Sequence, residues 1–347
     1  MDCRRRCIAL PDYWQTGRTS SGNADGVVSA SLLPAVEARY TPSMSAPVAK
    51  RIKRSLIYLL ARAGKFWFNL LPRPLALWKG ASLGWLAWLM LRRDRRKIDA
   101  NLRRVYGDRL SAAERRAIGR RFFINSGKNL VDLMRFTRHY RSEIAPLVTV
   151  EGLEHFDRAY KAGKGVIGVT GHIGNFELLA AHIVSLGYEA AAIGREMYDI
   201  RLDRMLVKNR ESVGLTNFAT TDSPKRIFRW LQSGKVLGVL IDIDSSRVRG
   251  EFVPFFGIPA RTPLGHAVIG VKVGAAFLPM ACVRTPHNRY HLIIRPAVQI
   301  PGGLSEEAAA LHVTTMCNSA LEEIIDSHRD QWIWLHDRWA SRPPNTA

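Results

Sequence analysis

The stretch GVTGHIGNFELLA, residues 168–180, sets His172 between Gly171 and Gly174 and five residues ahead of Glu177. An imidazole, which titrates near neutrality, suits the removal of a proton from a hydroxyl. A carboxylate bonded to one ring nitrogen fixes the tautomer that leaves the other able to accept. Flanking glycines let the backbone turn sharply and let a substrate come close. Five residues is a poor spacing for two groups on one helix face. The pair therefore requires His172 in a loop and Glu177 in the first turn of a helix capped by Asn175. Alone, His-x4-Glu is short enough to recur by chance, and a surface histidine beside a helix-start glutamate is the alternative.

Other residues could join this pair. In LIDIDSSRVRGEFVPFFGIPARTPLG, 240–265, Asp242 and Asp244 end an apolar run. No glutamate or histidine at ligand spacing accompanies them, so no metal is expected. Asp244 with Arg247 and Arg249 reads alternatively as a solvated ion pair. The following Phe252, Phe255 and Phe256 would line an apolar slot for a chain-like ligand or belong to the core. Arg195 follows another strand, where it could meet an oxyanion, clamp a phosphate or be a surface arginine. Gly174, Asn175, Arg195, Asp242 and Asp244 are thus the candidates for substrate contact beside the catalytic candidates His172 and Glu177. RDQWIWLHDRWASRPP, 329–344, with Trp332, Trp334, Trp339 and His336, reads as a strand or turn closing the core. There is no G-x-S-x-G, G-x4-G-K-[ST] or H-E-x-x-H, and the glycines of GVIGVTGHIG do not have dinucleotide-binding spacing. No cofactor is implied.

The elements that must position these groups alternate. Apolar, β-rich runs at 165–170, 190–194, 236–242, 276–283 and 290–296 interleave with helical patterns at 175–186, 199–213, 223–233, 263–273 and 304–328. That order predicts an α/β fold with a largely parallel sheet flanked by helices, its site beyond the carboxyl ends of the strands. Residues 98–145 read as a helical scaffold, with Ser111 and Glu114 spaced as a capping box, and 146–343 as the α/β core.

Residues 49–97 are apolar and aromatic, but Arg62, Lys65, Arg73 and Lys79 interrupt them, so no uncharged run reaches the ~20 residues of a spanning helix. Basic clusters at 50–54 and 92–97 flank Trp67, Trp78, Trp85 and Trp88. This pattern fits a helical hairpin lying in a membrane leaflet, its cationic heads on anionic phosphates; two amphipathic helices packed on the domain are the alternative. Residues 1–48, rich in Ser, Ala, Gly and Pro, are expected to be a disordered leader. Cys3, Cys7, Cys282 and Cys317 show no zinc or redox spacing and read as reduced thiols.

The formal charge of +21, from 51 basic and 30 acidic residues, concerns partners. The basic residues cluster beside tryptophan-rich segments and form no groove-reading motif, so anionic membrane lipid is expected and nucleic acid is not.

In order and spacing, VEGLEHF, GVIGVTGHIGNFELLA, GREMYDIRLDRMLVKNRESVG, GVLIDIDSSRVRGEFVPFFGIPARTPLG and DQWIWLHDRWASRP resemble the bacterial lipid A biosynthesis acyltransferases of the lauroyl/myristoyl group, over roughly residues 50–343. The resemblance implies a glycerol-phosphate-acyltransferase-like fold at the cytoplasmic face of the inner membrane. It also implies transfer of a fatty acyl chain from acyl carrier protein to a hydroxyl of a lipid A precursor. The family histidine, acid and arginine fall on His172, Glu177 and Arg195. Phe176 stands where relatives carry Trp, Asp242-Ile243-Asp244 where they carry Asp-Gln-Asp, and EMYD where Asn-Pro follows the arginine; these departures bear on the acceptor and the acyl chain. An acyltransferase of another glycolipid, such as a phosphatidylinositol mannoside, is the second expectation.

Overall fold

The structure, a computed structural model, describes residues 48–245 and 248–343. Apart from Val48, the leader expected at 1–48 lies outside the described residues, as do Cys3, Cys7 and Arg247. The chain divides into two units, residues 1–55, described from 48 on as helix, and residues 56–347.

Among the described residues four α-helices precede the first strand: α1 (Val48–Leu70), α2 (Arg73–Met90), α3 (Arg92–Tyr106) and α4 (Ala112–His139). Pro72 and Pro74 stand at the start of α2, where the missing amides remove no intrahelical bond. Ser111 caps α4 as its spacing predicts. Its hydroxyl accepts from the Glu114 amide at 3.3 Å, and the Glu114 carboxylate accepts from the Ser111 amide at 2.8 Å. On α2, Gly80 and Gly84 are four residues apart and meet the backbone of α4. A Cβ at Gly80 would lie 2.6 Å from Val131, and one at Gly84 or Gly127 would strike a carbonyl of the facing helix. Among the described residues no helix is long and apolar enough to cross a membrane.

The sheet collects β1 (Val148–Glu151), β2 (Val166–Thr170), β3 (Ala190–Gly194), β4 (Thr216–Ala219), β5 (Val236–Leu240), β8 (Ala276–Arg284) and β9 (Tyr290–Ile294) in the order β1-β9-β8-β2-β5-β3-β4. Only β8 and β9 run antiparallel. Between the strands lie α5 (Leu153–Lys161), α6 (Phe176–Ser185), α7 (Ile200–Ser212), α8 (Pro224–Gln232) and α9 (Gly265–Val273), and α10 (Glu306–Ser327) follows them. Each predicted run ends within two residues of the observed element. The strand period of two divides the core: Val166 of β2 joins Leu178 and Phe156, whereas Ile167 and Val169 join Ile227, Val313 and Leu321.

The aromatic segment after Asp244 is a hairpin, β6 (Gly250–Phe255) and β7 (Ile258–Pro263), not an open loop. Phe256 and Gly257 turn with φ of 53° and 70°, as a two-residue hairpin requires. Phe255 is fully buried against Trp332 and Trp339, which decides for core over ligand slot at that position.

Candidate active site

β2 and β5 are neighbours in parallel register, with Thr170 opposite Leu240. Two residues past that row stand His172 and Asp242. The sheet therefore brings together side chains 70 positions apart. His172 Nδ1 lies 2.8 Å from Asp242 Oδ1, and the His172 amide donates to Oδ2 at 2.6 Å. Trp332 Nε1 donates to the same oxygen at 2.9 Å. Gly171 is needed here for space, since a Cβ would sit 2.7 Å from that oxygen. The carboxylate is fully buried and the imidazole 19% exposed, so Nδ1 is engaged and Nε2 is the nitrogen left for a substrate.

Electrostatics follow from this pairing. Burial disfavours a charged His172, but the charge and hydrogen bond of Asp242, with Glu177 adding to them, outweigh it and hold the imidazole above its usual pKa of 6.5. Burial equally opposes the Asp242 carboxylate. His172 and the Trp332 indole prevail and keep its pKa below 3.8.

The orienting carboxylate is thus Asp242, where the His-x4-Glu spacing had pointed to Glu177. Glu177 sits in the first turn of α6 as expected, but its oxygens take Arg210 Nε at 2.9 Å and Nη2 at 2.6 Å from α7. It reaches the imidazole as a nearby charge. Arg210, 33 residues on, also donates to Asn217 and was not singled out from the sequence; a buried partner for a first-turn glutamate has no local signature.

Gly174 and Asn175 shape the loop rather than offering amides to a substrate. The Gly174 amide donates to the Gln331 carbonyl at 2.9 Å, and the Asn175 amide to Cys282 at 2.7 Å. Asn175 is the N-cap, accepting from the Leu178 amide at 3.1 Å. The amides of Phe176 and Glu177, at the first two helical positions, have no intrahelical acceptor, and both residues line the site cavity. Gly174 has φ 60° and a Cβ there would collide with the Cys282 carbonyl. Gly174→Ala is expected to lower stability by about 3 kcal/mol, measured by denaturant unfolding.

A cavity of about 230 Å³ opens on the imidazole, lined by His172, Gly174, Asn175, Phe176, Glu177, Gln331 and Ile333 and, from α4, by Phe122, Asn125, Ser126, Asn129, Leu130 and Leu133. Helix α4, read from the sequence as scaffold, is one wall of the site. Arg195 is exposed and does not line this cavity. It directly follows β3, two strands from β2, which places it roughly 10 Å along the sheet. Asp244 does not reach the cavity either; it accepts from the amide and hydroxyl of Ser341 at 2.6 and 2.9 Å. His336, expected to be structural, packs its ring 5.2 Å from that of His172, and Phe176 packs 5.1 Å away on its own contact. Burial, then the charge of His172, holds His336 below its usual pKa. Among the described residues no cluster of His, Cys, Asp and Glu has the makings of a metal site.

A buried acid that fixes one nitrogen of an imidazole at a cavity's edge can run proton transfer to or from a hydroxyl. Residues 47–341 match the family described as bacterial lipid A biosynthesis acyltransferase. The chain belongs to that family. Among its acyltransferase relatives is the lipid A biosynthesis palmitoleoyltransferase of Escherichia coli K12, 26% identical over 307 residues, 84% of this chain and 96% of that one. The lauroyltransferase of the same organism is 26% identical over 285 residues, 81% and 90% of the two chains. The phosphatidylinositol mannoside acyltransferase of Mycobacterium tuberculosis CDC 1551 is 26% identical over 194 residues, 55% of this chain. The match spans 59% of that mycobacterial relative's length. The 1-acyl-sn-glycerophosphate acyltransferase PlsC of Thermotoga maritima overlays with a TM-score of 0.34 at 15% identity, covering 73% of this chain and 98% of PlsC.

Proposed function

We propose that this protein moves a fatty acyl chain from the thioester of acyl carrier protein to a hydroxyl of a lipid A precursor. The observation that carries the reading is the His172–Asp242 pair, with one ring nitrogen engaged by a buried carboxylate and the ring on the cavity. In the step, His172 Nε2 takes the proton of the acceptor hydroxyl as its oxygen attacks the thioester carbonyl carbon. Asp242 stabilises the imidazolium, and the first-turn amides of α6 face the oxyanion. The tetrahedral intermediate then collapses with cleavage of the carbon–sulfur bond. The thiolate leaves and recovers the proton from His172, so ester and thiol are formed without a covalent enzyme intermediate.

The choice of acceptor is supported by the E. coli relatives, which are named for lipid A biosynthesis and matched over nearly their whole length. The mycobacterial relatives favour a second reading in which the acceptor is a phosphatidylinositol mannoside or a similar glycolipid. Incubating purified protein with lauroyl-, myristoyl- or palmitoleoyl-acyl carrier protein and either acceptor, with mass spectrometry of the lipids, tests both. A mass gain of one acyl group on the lipid A precursor is the expected result. Acylation of the mannoside alone selects the second reading, and a gain on neither rejects both.

In this reading the reaction takes place at the cytoplasmic face of the inner membrane, with the protein lying on the leaflet. Leu75, Trp78, Leu83, Trp85, Leu86 and Leu89 of α2 are exposed, and the basic α3 begins directly after it. Apolar and aromatic surface beside arginines suits an anionic interface. Changing Trp78 and Trp85 together to serine is expected to weaken binding to vesicles containing anionic phospholipid by about tenfold or more, read by vesicle flotation, while soluble-substrate turnover stays within about threefold of normal.

A further inference from the structure

Asp242 is not the only buried carboxylate tied to the reactive loop. Asp132 of α4 is fully buried and receives Arg73 Nε on Oδ1 at 2.9 Å. Its Oδ2 receives Arg73 Nη2 at 2.9 Å, Arg284 Nη2 at 2.9 Å and the Tyr290 hydroxyl at 2.6 Å. These partners come from α2, β8 and β9. Burial opposes the charge on Asp132, yet Arg284 and Arg73 hold it as a carboxylate. Two guanidinium groups and one carboxylate out of water are weak evidence for stability, because desolvation consumes most of the attraction. What such a cluster does well is hold its members in one geometry.

Two arms run from it to the loop that carries His172. In the first, the Tyr290 hydroxyl accepts from Asn175 Nδ2 at 3.3 Å. In the second, Arg284 donates to Asn129 Oδ1 at 2.7 Å, and Asn129 Nδ2 donates to the Gly174 carbonyl at 2.8 Å. Gln331 closes the second arm. Its side chain bonds the backbone amide and carbonyl of Arg284 at 2.7 and 2.8 Å, while its own carbonyl takes the Gly174 amide. Gly174 and Asn175 join His172 to the helix of Glu177, so what holds them sets the direction of the imidazole. Arg73 adds a link to α2, and it also donates to the carbonyl of Asn288 at 3.0 Å. That residue and His287 turn β8 into β9 with left-handed φ of 58° and 66°.

We propose that Asp132, acting through Arg284 and Tyr290, is the positioning residue that holds the Gly174–Asn175 hinge and aims His172, with Arg73 tying that hold to α2. This rests on the acyltransferase reading above for its kinetic consequence, though not for its structural one. None of these side chains touches the reacting atoms.

The test uses the full chain in detergent micelles with acyl-acyl carrier protein as donor. Tyr290→Phe removes one hydroxyl and leaves the ring in place, so it disturbs packing least; Arg73→Gln cuts the link to α2, and Asp132→Asn the centre. Expected for Tyr290→Phe and Arg73→Gln is a kcat lower by about tenfold with KM within about threefold, since misplacing a base by an ångström or less costs turnover before binding. Amide hydrogen exchange over residues 171–178 is expected to quicken about fivefold or more in both variants, with little change in the strands. A kcat within about twofold of normal with unchanged exchange over 171–178 overturns the proposal. So does a loss of activity that only follows the loss of folded protein. If the unaltered chain transfers no acyl group, the acyltransferase reading falls and the exchange measurement alone decides the positioning role: quickening confined to 171–178 supports it, and no quickening overturns it.

Discussion

The His172→Ala protein is expected to fold, to bind anionic vesicles as before and to transfer acyl chains about 10³-fold more slowly. The imidazole sits at the cavity's edge and takes no part in a core cluster, so truncation removes little packing. What it removes is the proposed acceptor for the hydroxyl proton. Without it the attacking oxygen must shed its proton to water while Asp242 stays buried with an unused charge. Steady-state turnover with acyl-acyl carrier protein, alongside vesicle flotation, separates these effects. Near-normal turnover rejects His172 as the base.

Asp242→Asn is expected to lower kcat by a similar factor, about 10²- to 10³-fold, and to alter the pH profile in a defined direction. The base acts when neutral, so the normal enzyme gains activity as pH rises through a His172 pKa held above 6.5. With the opposing charge gone, burial dominates and the pKa falls, so the acid limb of kcat/KM moves to lower pH while the plateau drops. The folding linkage has two parts. His172, raised in the folded state, contributes stability that is full below its unfolded pKa and is lost as pH rises through the folded value. Asp242, lowered in the folded state, contributes stability present above its unfolded pKa and lost as pH falls through the folded value. Melting temperature against pH should therefore flatten in the variant in both windows. An unmoved acid limb in Asp242→Asn, with a lost limb in Glu177→Gln, returns the orienting role to Glu177.

How much of this was readable beforehand differs by residue. His172 in a loop, Asn175 as cap and Glu177 in the first turn are local features, set by glycine placement and helix-start chemistry within a few residues. The sheet's principal strands announced themselves as apolar runs. Val148–Glu151 and Thr216–Ala219 did not, being four residues long and partly polar. The hairpin at 250–263 turns on Phe-Gly, which carries no hairpin signal of the Asn-Gly kind. The partner of His172 depended on knowing that β5 lies beside β2, because only that order sets Asp242 level with it. The same order sets β5 between the strands that precede His172 and Arg195. His172 and Asp242 each stand two positions past the last residue of a strand, Thr170 and Leu240, an offset that appears only once the strand ends are known. Arg210 and Asp132 had no local hint, since their partners are tens of residues away on other elements.

At Gly80, Gly84 and Gly127 two helix backbones touch with no side chain between them to deform. Contacts of that kind have no slack. A seam this close would carry a displacement of the tryptophan-bearing α2 to α4, which forms one wall of the cavity at His172. On the proposed reading the two helices form a stiff lever, with α2 as the arm at the lipid and α4 as the arm beside the imidazole.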